Sequence, residues 1–470
     1  MNDICEMNVS QLLSGYRRGT LSPVEVMCAV LDRVARLNPV VNGVCALDED
    51  GALASAHESE RRWMRHEPCG LLDGVPISVK DLVAVRGLPT RHGSLTSRDT
   101  PESVDAPAVA RLRHAGALMF GKTTTSEFGN KIVSDCPLTG ITRNPWDRRL
   151  SSGGSSGGSA VAVALGMGPL SLATDGGGSI RIPSCWSGVV GMKPSFDRVP
   201  AGAAGSWTGL STLGPMARTV SDAALMLTVM SGHGDARTFV SPCPDVRIGL
   251  DDGIAALRIA YCPVPAGARV EPGIAVSVRQ AVGLIEALGA QVEEIDVKPL
   301  SGYVGSRMHS IQWSVFFAQR VREFKGQAWS QLDQDVRELA EAGDHVSAAT
   351  FADALRARHA LTGAMNAFFE DYDVLVTPTF HCGPPAVPGL PEELRTAPPL
   401  TSWCNQTGLP AVSVPCGLPG GLPTGLQIIG PRGGDALVLL VARAYESARG
   451  PFPVPRKAWE EQVVETETRS

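Results

Sequence analysis

Two serines set among glycines, and one lysine at the end of an apolar run, are the residues of this chain whose types and spacing can do chemistry. Ser155 lies in Gly153-Gly154-Ser155-Ser156-Gly157-Gly158, Ser179 in Asp175-Gly176-Gly177-Gly178-Ser179, and Lys80 ends the stretch Gly74-Val75-Pro76-Ile77-Ser78-Val79-Lys80. Glycines around a serine let the backbone approach another group closely or take angles a side chain forbids. The N–H groups of Gly176, Gly177, Gly178 and Ser179 can point into one concavity, as a developing tetrahedral oxyanion requires, which makes Ser179 the expected nucleophile. A serine hydroxyl needs a base, and lysine serves only when neutral, with its pKa lowered from about 10.4 by burial or neighbouring dipoles. Lys80 follows an apolar strand-like run, so burial is expected. Two serines and a lysine can form a triad without histidine, and the chemistry indicated is acyl transfer.

The elements that must position these residues alternate between β and α. Ser22-Pro23-Val24-Glu25 is a capping box with proline at the first helical position, and Val26, Ala29, Val30, Val34 and Leu37 continue one apolar face, giving a helix that ends near Asn38-Pro39. A polar helix is predicted over 52–63 and a short buried strand over 75–79. Asp105 is expected to cap a helix over 106–115, closed by Gly116 and followed by a strand over 117–120. Small apolar residues over 159–165 predict a tightly packed helix, and 170–173 a strand entering the second serine loop. Helices over 221–230 and 274–288 alternate with strands over 257–261 and 291–297. Strands are also predicted around 373–379, 411–414 and 426–429, and a Pro/Gly-rich loop over 382–399. Strand signals vanish between 301 and 369, which predicts a helical excursion over the core.

The class expected is α/β: a single three-layer α/β/α domain spanning 1–470, with a mixed, largely parallel central sheet covered by helices. Within it, 1–65 form N-terminal helices, 70–220 the catalytic core and 301–369 the excursion. No internal repeat or low-complexity linker interrupts it.

Bulk composition narrows the function. Hydrophobic content of 43% with 19% charge is that of a globular chain, and a net charge of −6 with no basic patch argues against nucleic acid. No basic leader followed by an apolar run opens the sequence, and no stretch reaches the roughly 18 apolar residues of a membrane span, so a cytoplasmic protein is expected. Dispersed cysteines without C-x-x-C, and histidines without H-E-x-x-H, give neither a disulfide framework nor a metal site. No metal or other cofactor is expected.

Two pattern matches mislead. Gly116-Ala117-Leu118-Met119-Phe120-Gly121-Lys122-Thr123 fits G-x-x-x-x-G-K-T, but a phosphate cradle needs strand, flexible loop and helix, whereas here a helix precedes Gly116 and strand-like residues follow it. Gly153 to Gly157 fits the G-x-S-x-G elbow of α/β-hydrolases, which needs a late histidine with an acidic partner, and the last histidine is His381.

Taken in order, the 74–81 stretch, Gly121-Lys122-Thr123, Gly153 through Ser159, Asp175 through Arg181, Gly191-Met192-Lys193-Pro194, Gly214-Pro215-Met216-Ala217-Arg218-Thr219 and the run from Asn405 to Pro410 resemble the amidase signature family. The resemblance covers about residues 10 to 450 and is densest from Lys80 to Arg218. It implies an amidohydrolase cleaving the C–N bond of a small carboxylic amide, carbamate or urea-type substrate. Ser179 is then the acylated nucleophile, Ser155 the cis-serine bridging nucleophile and lysine, and Lys80 the general base. Ser156, Asp175 and Arg181 support the site. Asp175 and Arg181 are expected to brace the nucleophile loop as a salt bridge, with a substrate-carboxylate role for Arg181 as the alternative.

Many family members carry Asp-Thr-Gly-Gly-Ser where this chain has Asp175-Gly176-Gly177-Gly178-Ser179, and the extra glycine would loosen the oxyanion loop or admit a bulkier acyl group. Trp186, Trp207, Trp313 and Trp403 fall in segments that can wall an acyl pocket, although core packing is the commoner role. The competing function is the A subunit of a tRNA-dependent glutamine amidotransferase, in which an acidic residue is expected shortly before the Asn405 run; Ala397-Pro398-Pro399-Leu400 supplies none. A homodimer is carried by the resemblance alone.

Overall fold

The computed structural model describes residues 3–200, 209–231, 245–303, 306–324, 326, 328–396 and 400–455; Trp207 and residues 397–399 therefore lie outside the described residues. The chain opens with α1 (Val9–Arg18), α2 (Pro23–Val41), β1 (Val44–Leu47) and α3 (Glu49–Met64). The capping box at Ser22 forms as its sequence requires, with Glu25 reaching back to the Ser22 N–H at 2.8 Å. The helix outruns the expected stop at Pro39. Proline in the last turn removes one donor only, and Asn42, left-handed at φ 53°, closes the end by donating its N–H to the Asn38 carbonyl at 2.8 Å.

β2 (Pro76–Lys80), α4 (Pro107–His114) and β3 (Leu118–Thr123) follow. Asp105 does not cap α4, which is a correction to the sequence expectation. Its carboxylate is drawn to Arg113 and to the Arg86 N–H, at 2.8 and 2.7 Å, and the N-cap is Ala106, where Pro107 needs no donor satisfied. Gly121, Lys122 and Thr123 lie inside β3, with Lys122 paired to Asp81 at 3.1 Å, so the G-x-x-x-x-G-K-T match is a strand and not a phosphate-cradling loop.

After a small ribbon of β4 (Asp135–Cys136) and β5 (Gly140–Ile141) come α5 (Gly157–Ala164), β6 (Leu170–Asp175), α6 (Arg181–Ser187), β7 (Val190–Lys193), β8 (Thr212–Ala217) and α7 (Val220–Ser231). β9 (Arg258–Tyr261), α8 (Pro272–Ala287) and β10 (Gln291–Glu294) lead into the excursion. Between 301 and 369 the longer elements are α9 (Met308–Arg320), α10 (Gln334–Asp344) and α11 (Ala348–Asp371), helical as expected. β11 (Val374–Pro378), α12 (Glu392–Thr396), α13 (Ser402–Thr407), β12 (Ala411–Gly417), β13 (Thr424–Ile429) and α14 (Asp435–Arg449) complete the chain, so the expected loop over 382–399 contains one short helix.

One 11-stranded mixed sheet runs in the order β1-β3-β2-β6-β8-β7-β12-β13-β11-β9-β10. Its parallel pairs are β3–β2, β2–β6, β11–β9 and β9–β10; the other neighbours are antiparallel. Alternation along the strands divides the core. In β3, Met119 joins the apolar layer under α4, α7, α8 and α14, whereas Leu118 and Phe120 join the layer with α2, α3 and α5. In β2, Ile77 and Val79 fall in the first layer, which turns Ser78 and Lys80 toward the side on which α5 lies. The lysine is delivered, buried, to the end of a strand facing the serine loop that starts α5.

Candidate active site

Lys80 is fully buried, and its Nζ lies 2.7 Å from Ser155 Oγ, 2.8 Å from Ser156 Oγ and 2.9 Å from Thr174 Oγ1. Among the described residues no carboxylate pairs with it. Ser156 Oγ donates its proton to the Thr174 carbonyl at 3.1 Å, so it can only accept from Lys80. A neutral amine has two N–H groups and one lone pair. Donating to Ser156 and Thr174 leaves the lone pair for the Ser155 hydroxyl, and every partner is then used once. Burial lowers the Lys80 pKa well below the ordinary lysine value, against a weaker opposing pull from the Asp175 charge.

The two serine loops are tied together directly. Ser156 N–H donates to the Ser179 carbonyl at 3.2 Å, and Ser134 fastens the first loop by donating to the Ser155 carbonyl and accepting from Gly157 N–H, at 3.1 and 2.9 Å. The Gly154–Ser155 peptide bond is cis. A Cβ on Gly154 would stand 2.5–2.7 Å from the Val133 backbone, so only glycine permits this approach. Ser155 is 1% exposed, whereas Ser179 is partly open and lines a cavity.

Asp175 and Arg181 are fully buried and paired, Nη2 to Oδ1 at 2.9 Å and Nε to Oδ2 at 3.0 Å. The same carboxylate accepts the Gly178 and Ile180 N–H groups at 2.7 and 3.2 Å and the Asn405 amide at 3.0 Å. Burial alone would raise the Asp175 pKa; the Arg181 charge and hydrogen bonds outweigh it and hold the carboxyl well below the usual range. Arg181 also donates to the Thr401 carbonyl, Gln427 Oε1 and Asn405 Oδ1, each at 2.8 Å, so all five of its N–H groups are committed. The alternative expectation, a guanidinium held ready for a substrate carboxylate, is corrected by this geometry.

The expected set of oxyanion donors is also narrowed. Gly178 N–H points at Asp175 and is spent on shaping the turn, while among the described residues the N–H groups of Gly176, Gly177 and Ser179 have no protein acceptor. Gly178 sits at φ +130°, and a Cβ there would fall 1.9 Å from Thr401 Oγ1, so glycine is required on both counts. At Gly176 the space of the missing side chain is already filled: a Cβ would meet the Trp313 ring at 3.0 and 3.1 Å. The extra glycine therefore accommodates an indole rather than loosening the loop.

The cavity in front of Ser179 has a volume of about 310 Å³. Gly129, Asn130, Gly177, His309, Ser310 and Trp313 line it together with the apolar Ile132, Leu339, Ala342, Leu390 and Leu394 and the charged Lys131, Asp335, Glu338, Glu392 and Arg395. Of the four tryptophans, Trp313 alone among the described ones lines this space. Trp186 packs edge-on against Phe380 and Trp403 lies in the core beside Leu409. Thr174, Asn130 and His309 escaped the sequence reading. Thr174 directly precedes Asp175, and its place at the end of β6, beside β2, was the available signal; the other two carry none.

Among the described residues no helix is long and apolar enough to cross a membrane, and no group of three or more His, Cys, Asp or Glu is placed to hold a metal ion.

Comparison with known proteins places the chain. A family model described as Amidase matches residues 25–439. The A subunit of the glutamyl-tRNA(Gln) amidotransferase of Salinispora arenicola is 35% identical over 97% of this chain and 100% of the relative, and an acylamidase of Rhodococcus erythropolis is 34% identical over 94% and 95%. A bacterial aryl acylamidase structure superposes with a TM-score of 0.87 at 28% identity, covering 97% of this chain and 98% of the other. The chain belongs to the amidase signature family.

Proposed function

We propose that this protein hydrolyses the C–N bond of small, neutral carboxylic amides through an acyl-enzyme on Ser179. The observation that carries this is the buried Lys80 amine, which among the described residues is hydrogen-bonded to hydroxyls alone and lies 2.7 Å from Ser155 Oγ. In the first half-reaction Ser179 Oγ attacks the amide carbonyl, its proton passes to Ser155, and the Ser155 proton passes to the Lys80 lone pair. The negative oxygen is held by the N–H groups of Gly176, Gly177 and Ser179 in a turn fixed by Asp175, Arg181 and Gly178. The proton returns through Ser155 to the nitrogen as the C–N bond breaks, releasing the amine. Water then attacks the acyl carbonyl, with Lys80 again taking the proton, and frees the acid. No step requires a metal or cofactor.

Neutrality of the substrate is supported by the charges around the cavity. Lys131 is held by Asp135, Asp333 and Asp335 at 2.6, 3.0 and 2.8 Å, and Arg395 is bonded to Asp335, so the cations are already compensated. Glu338 and Glu392 add negative charge, which repels an anionic substrate. We assign 301–369 the role of shaping the pocket, because α9 and α10 supply His309, Trp313, Leu339 and Ala342 to it. A single domain, a homodimer and a cytoplasmic setting complete the proposal.

A second function, the A subunit of a glutamine amidotransferase, is favoured by the Salinispora relative. Glutamine is zwitterionic and needs an uncompensated cation for its carboxylate, which the compensated rim does not offer. Purified protein decides between the two. Turnover of aryl and aliphatic amides by the chain alone supports the hydrolase; ammonia release from glutamine only after a partner is added supports the amidotransferase reading.

A further inference from the structure

His309 and Trp313 stand one turn apart on α9, stacked with ring centroids 5.4 Å apart, and both line the cavity before Ser179. Most of the uncharged side-chain donors around this space are unavailable to a ligand. Trp313 Nε1 donates to the Asn130 carbonyl at 3.1 Å, the Ser310 hydroxyl donates to the Arg307 carbonyl at 3.0 Å, and the Asn130 amide is enclosed. His309 differs. Among the described residues its Nε2 has no protein partner, yet it does not belong to the enclosed, unpartnered side-chain atoms, so this nitrogen keeps accessible surface although the residue as a whole is only 6% exposed. The same ring edge stands at the oxyanion turn, where a Cβ on Gly177, itself a lining residue, would meet Nε2 at 3.2 Å.

Hydrogen bonds behind the ring fix where its proton sits. Gln312 Nε2 donates to the Met308 carbonyl and to Gln406 Oε1, each at 3.0 Å, and turning that amide over would set its oxygen against the carbonyl. Gln406 therefore presents its amide nitrogen to His309 Nδ1, 3.3 Å away. Nδ1 must then accept, and the ring proton sits on Nε2. Burial lowers the His309 pKa to about 4, against a weaker opposing pull from the Asp175 charge, so the ring stays neutral at neutral pH. Held by Gln406 at one edge and by Trp313 on one face, the ring offers a single oriented, uncharged N–H.

We propose that His309 is a specificity residue whose Nε2–H selects amides carrying, in the part seated against Gly177, a neutral lone-pair acceptor such as a pyridine-type ring nitrogen or an ether oxygen. Such an acceptor completes the one open N–H of the ring. A hydrocarbon in the same place covers that N–H without pairing it, and a group that only donates meets another donor, so each is disfavoured. A carboxylate also accepts, but Glu338 and Glu392 around the same space oppose its charge. The inference rests on the cavity before Ser179 being where substrate sits.

The test separates the two. In Ser179→Ala protein, which cannot turn substrate over, calorimetry compares benzanilide with its isosteres in which one ring CH is replaced by nitrogen, at each of the three positions of the acyl ring and of the amine ring. The expected result is that at least one pyridyl isostere binds about fivefold or more tighter than benzanilide, with the preference lost when His309→Phe, which keeps an aromatic ring beside Trp313, is added. No isostere binding tighter than benzanilide, binding of none of the ligands, or a preference that survives His309→Phe overturns the inference. Should the phenylalanine variant fail to fold, nitrogen NMR of histidine-labelled Ser179→Ala protein decides: the His309 proton should be found on Nε2, and the Nε2 signal should move when the preferred isostere is added, whereas a proton on Nδ1 or an unmoved signal overturns the inference. Labelling of wild-type Ser179 by a fluorophosphonate reports independently on the acyl-transfer chemistry, so labelling without any pyridyl preference sinks the His309 role while leaving the hydrolase standing.

Discussion

Replacing Arg181 with methionine, which is similar in reach but has no donors, tests whether the nucleophile turn is built on a buried ion pair. Both partners are fully buried, and the substitution strands the Asp175 carboxylate, leaves Gln427 Oε1 and Asn405 Oδ1 each without a donor, and takes one donor from the Thr401 carbonyl, which keeps the Cys404 N–H at 3.2 Å. Removing one member of such a pair costs about 3–5 kcal/mol, and a melting entropy of about 2.1 cal/mol/K per residue over 470 residues gives about 1 kcal/mol/K, so the apparent Tm should fall by about 3–5 °C. Adding Asp175→Asn removes the stranded charge, so the double variant should lose less than the sum of the singles. The pH dependence has a defined sign. The folded Asp175 pKa is lowered, so its contribution is fully present above the unfolded carboxyl value of about 4 and fades as pH falls through the folded value. The Tm gap between wild type and Arg181→Met should therefore be largest at neutral pH and shrink on acidification. Scanning fluorimetry across pH supplies the measurement. A variant that melts within about 1 °C of wild type, and changes only the KM of anionic amides, would return Arg181 to the role of a substrate-binding residue.

Ser179→Ala should abolish turnover and covalent labelling together, with peptide mapping of the wild type placing the label on Ser179; a label on Ser155 or Ser156 would reassign the nucleophile. Gly176→Thr, which installs the residue many family members carry, should lower kcat about tenfold or more because the new Cβ falls about 3 Å from the Trp313 ring. Trp313→Leu should relieve that loss in a double-mutant cycle, and simple additivity of the two would show that the indole does not occupy the space. Asn130→Leu should raise the apparent Tm slightly in scanning fluorimetry by removing an unsatisfied amide; a large drop in Tm would mean the amide is paired in the folded protein.

Features written in contiguous sequence were legible. The capping box at Ser22, the strand that ends on Lys80, the small-residue helix after Ser155 and the helical run between β10 and β11 each announce themselves within a dozen residues. Local cues failed where a distant partner competed for a side chain or where the chain tolerated a breaker. Asp105 gave up its cap to Arg113, and α2 ran through Pro39 because Asn42 closed the helix beyond it. β1 was not read because it is short and its burial comes from pairing with β3. Within the site, the lysine and serines stand in motifs, whereas Thr174 joins them through register between β6 and β2. Gly178 N–H left the oxyanion set because of a hydrogen bond to Asp175 that no spacing rule reveals. His309 and Trp313 reach the glycine turn from α9, more than a hundred residues away in sequence, and only packing brings them there.

The rate at which a neutral covalent reagent acylates Ser179, followed against pH in wild type and in Lys80→Ala, tests the central claim most directly. A buried amine with a lowered pKa predicts a wild-type rate that rises with pH to a plateau well before the ordinary lysine value of about 10.4. In Lys80→Ala the rate at neutral pH should fall about 10²–10⁴-fold and climb steadily with hydroxide, recovering in part at alkaline pH. Lys80→Ala protein that acylates at the wild-type rate at neutral pH would contradict the account.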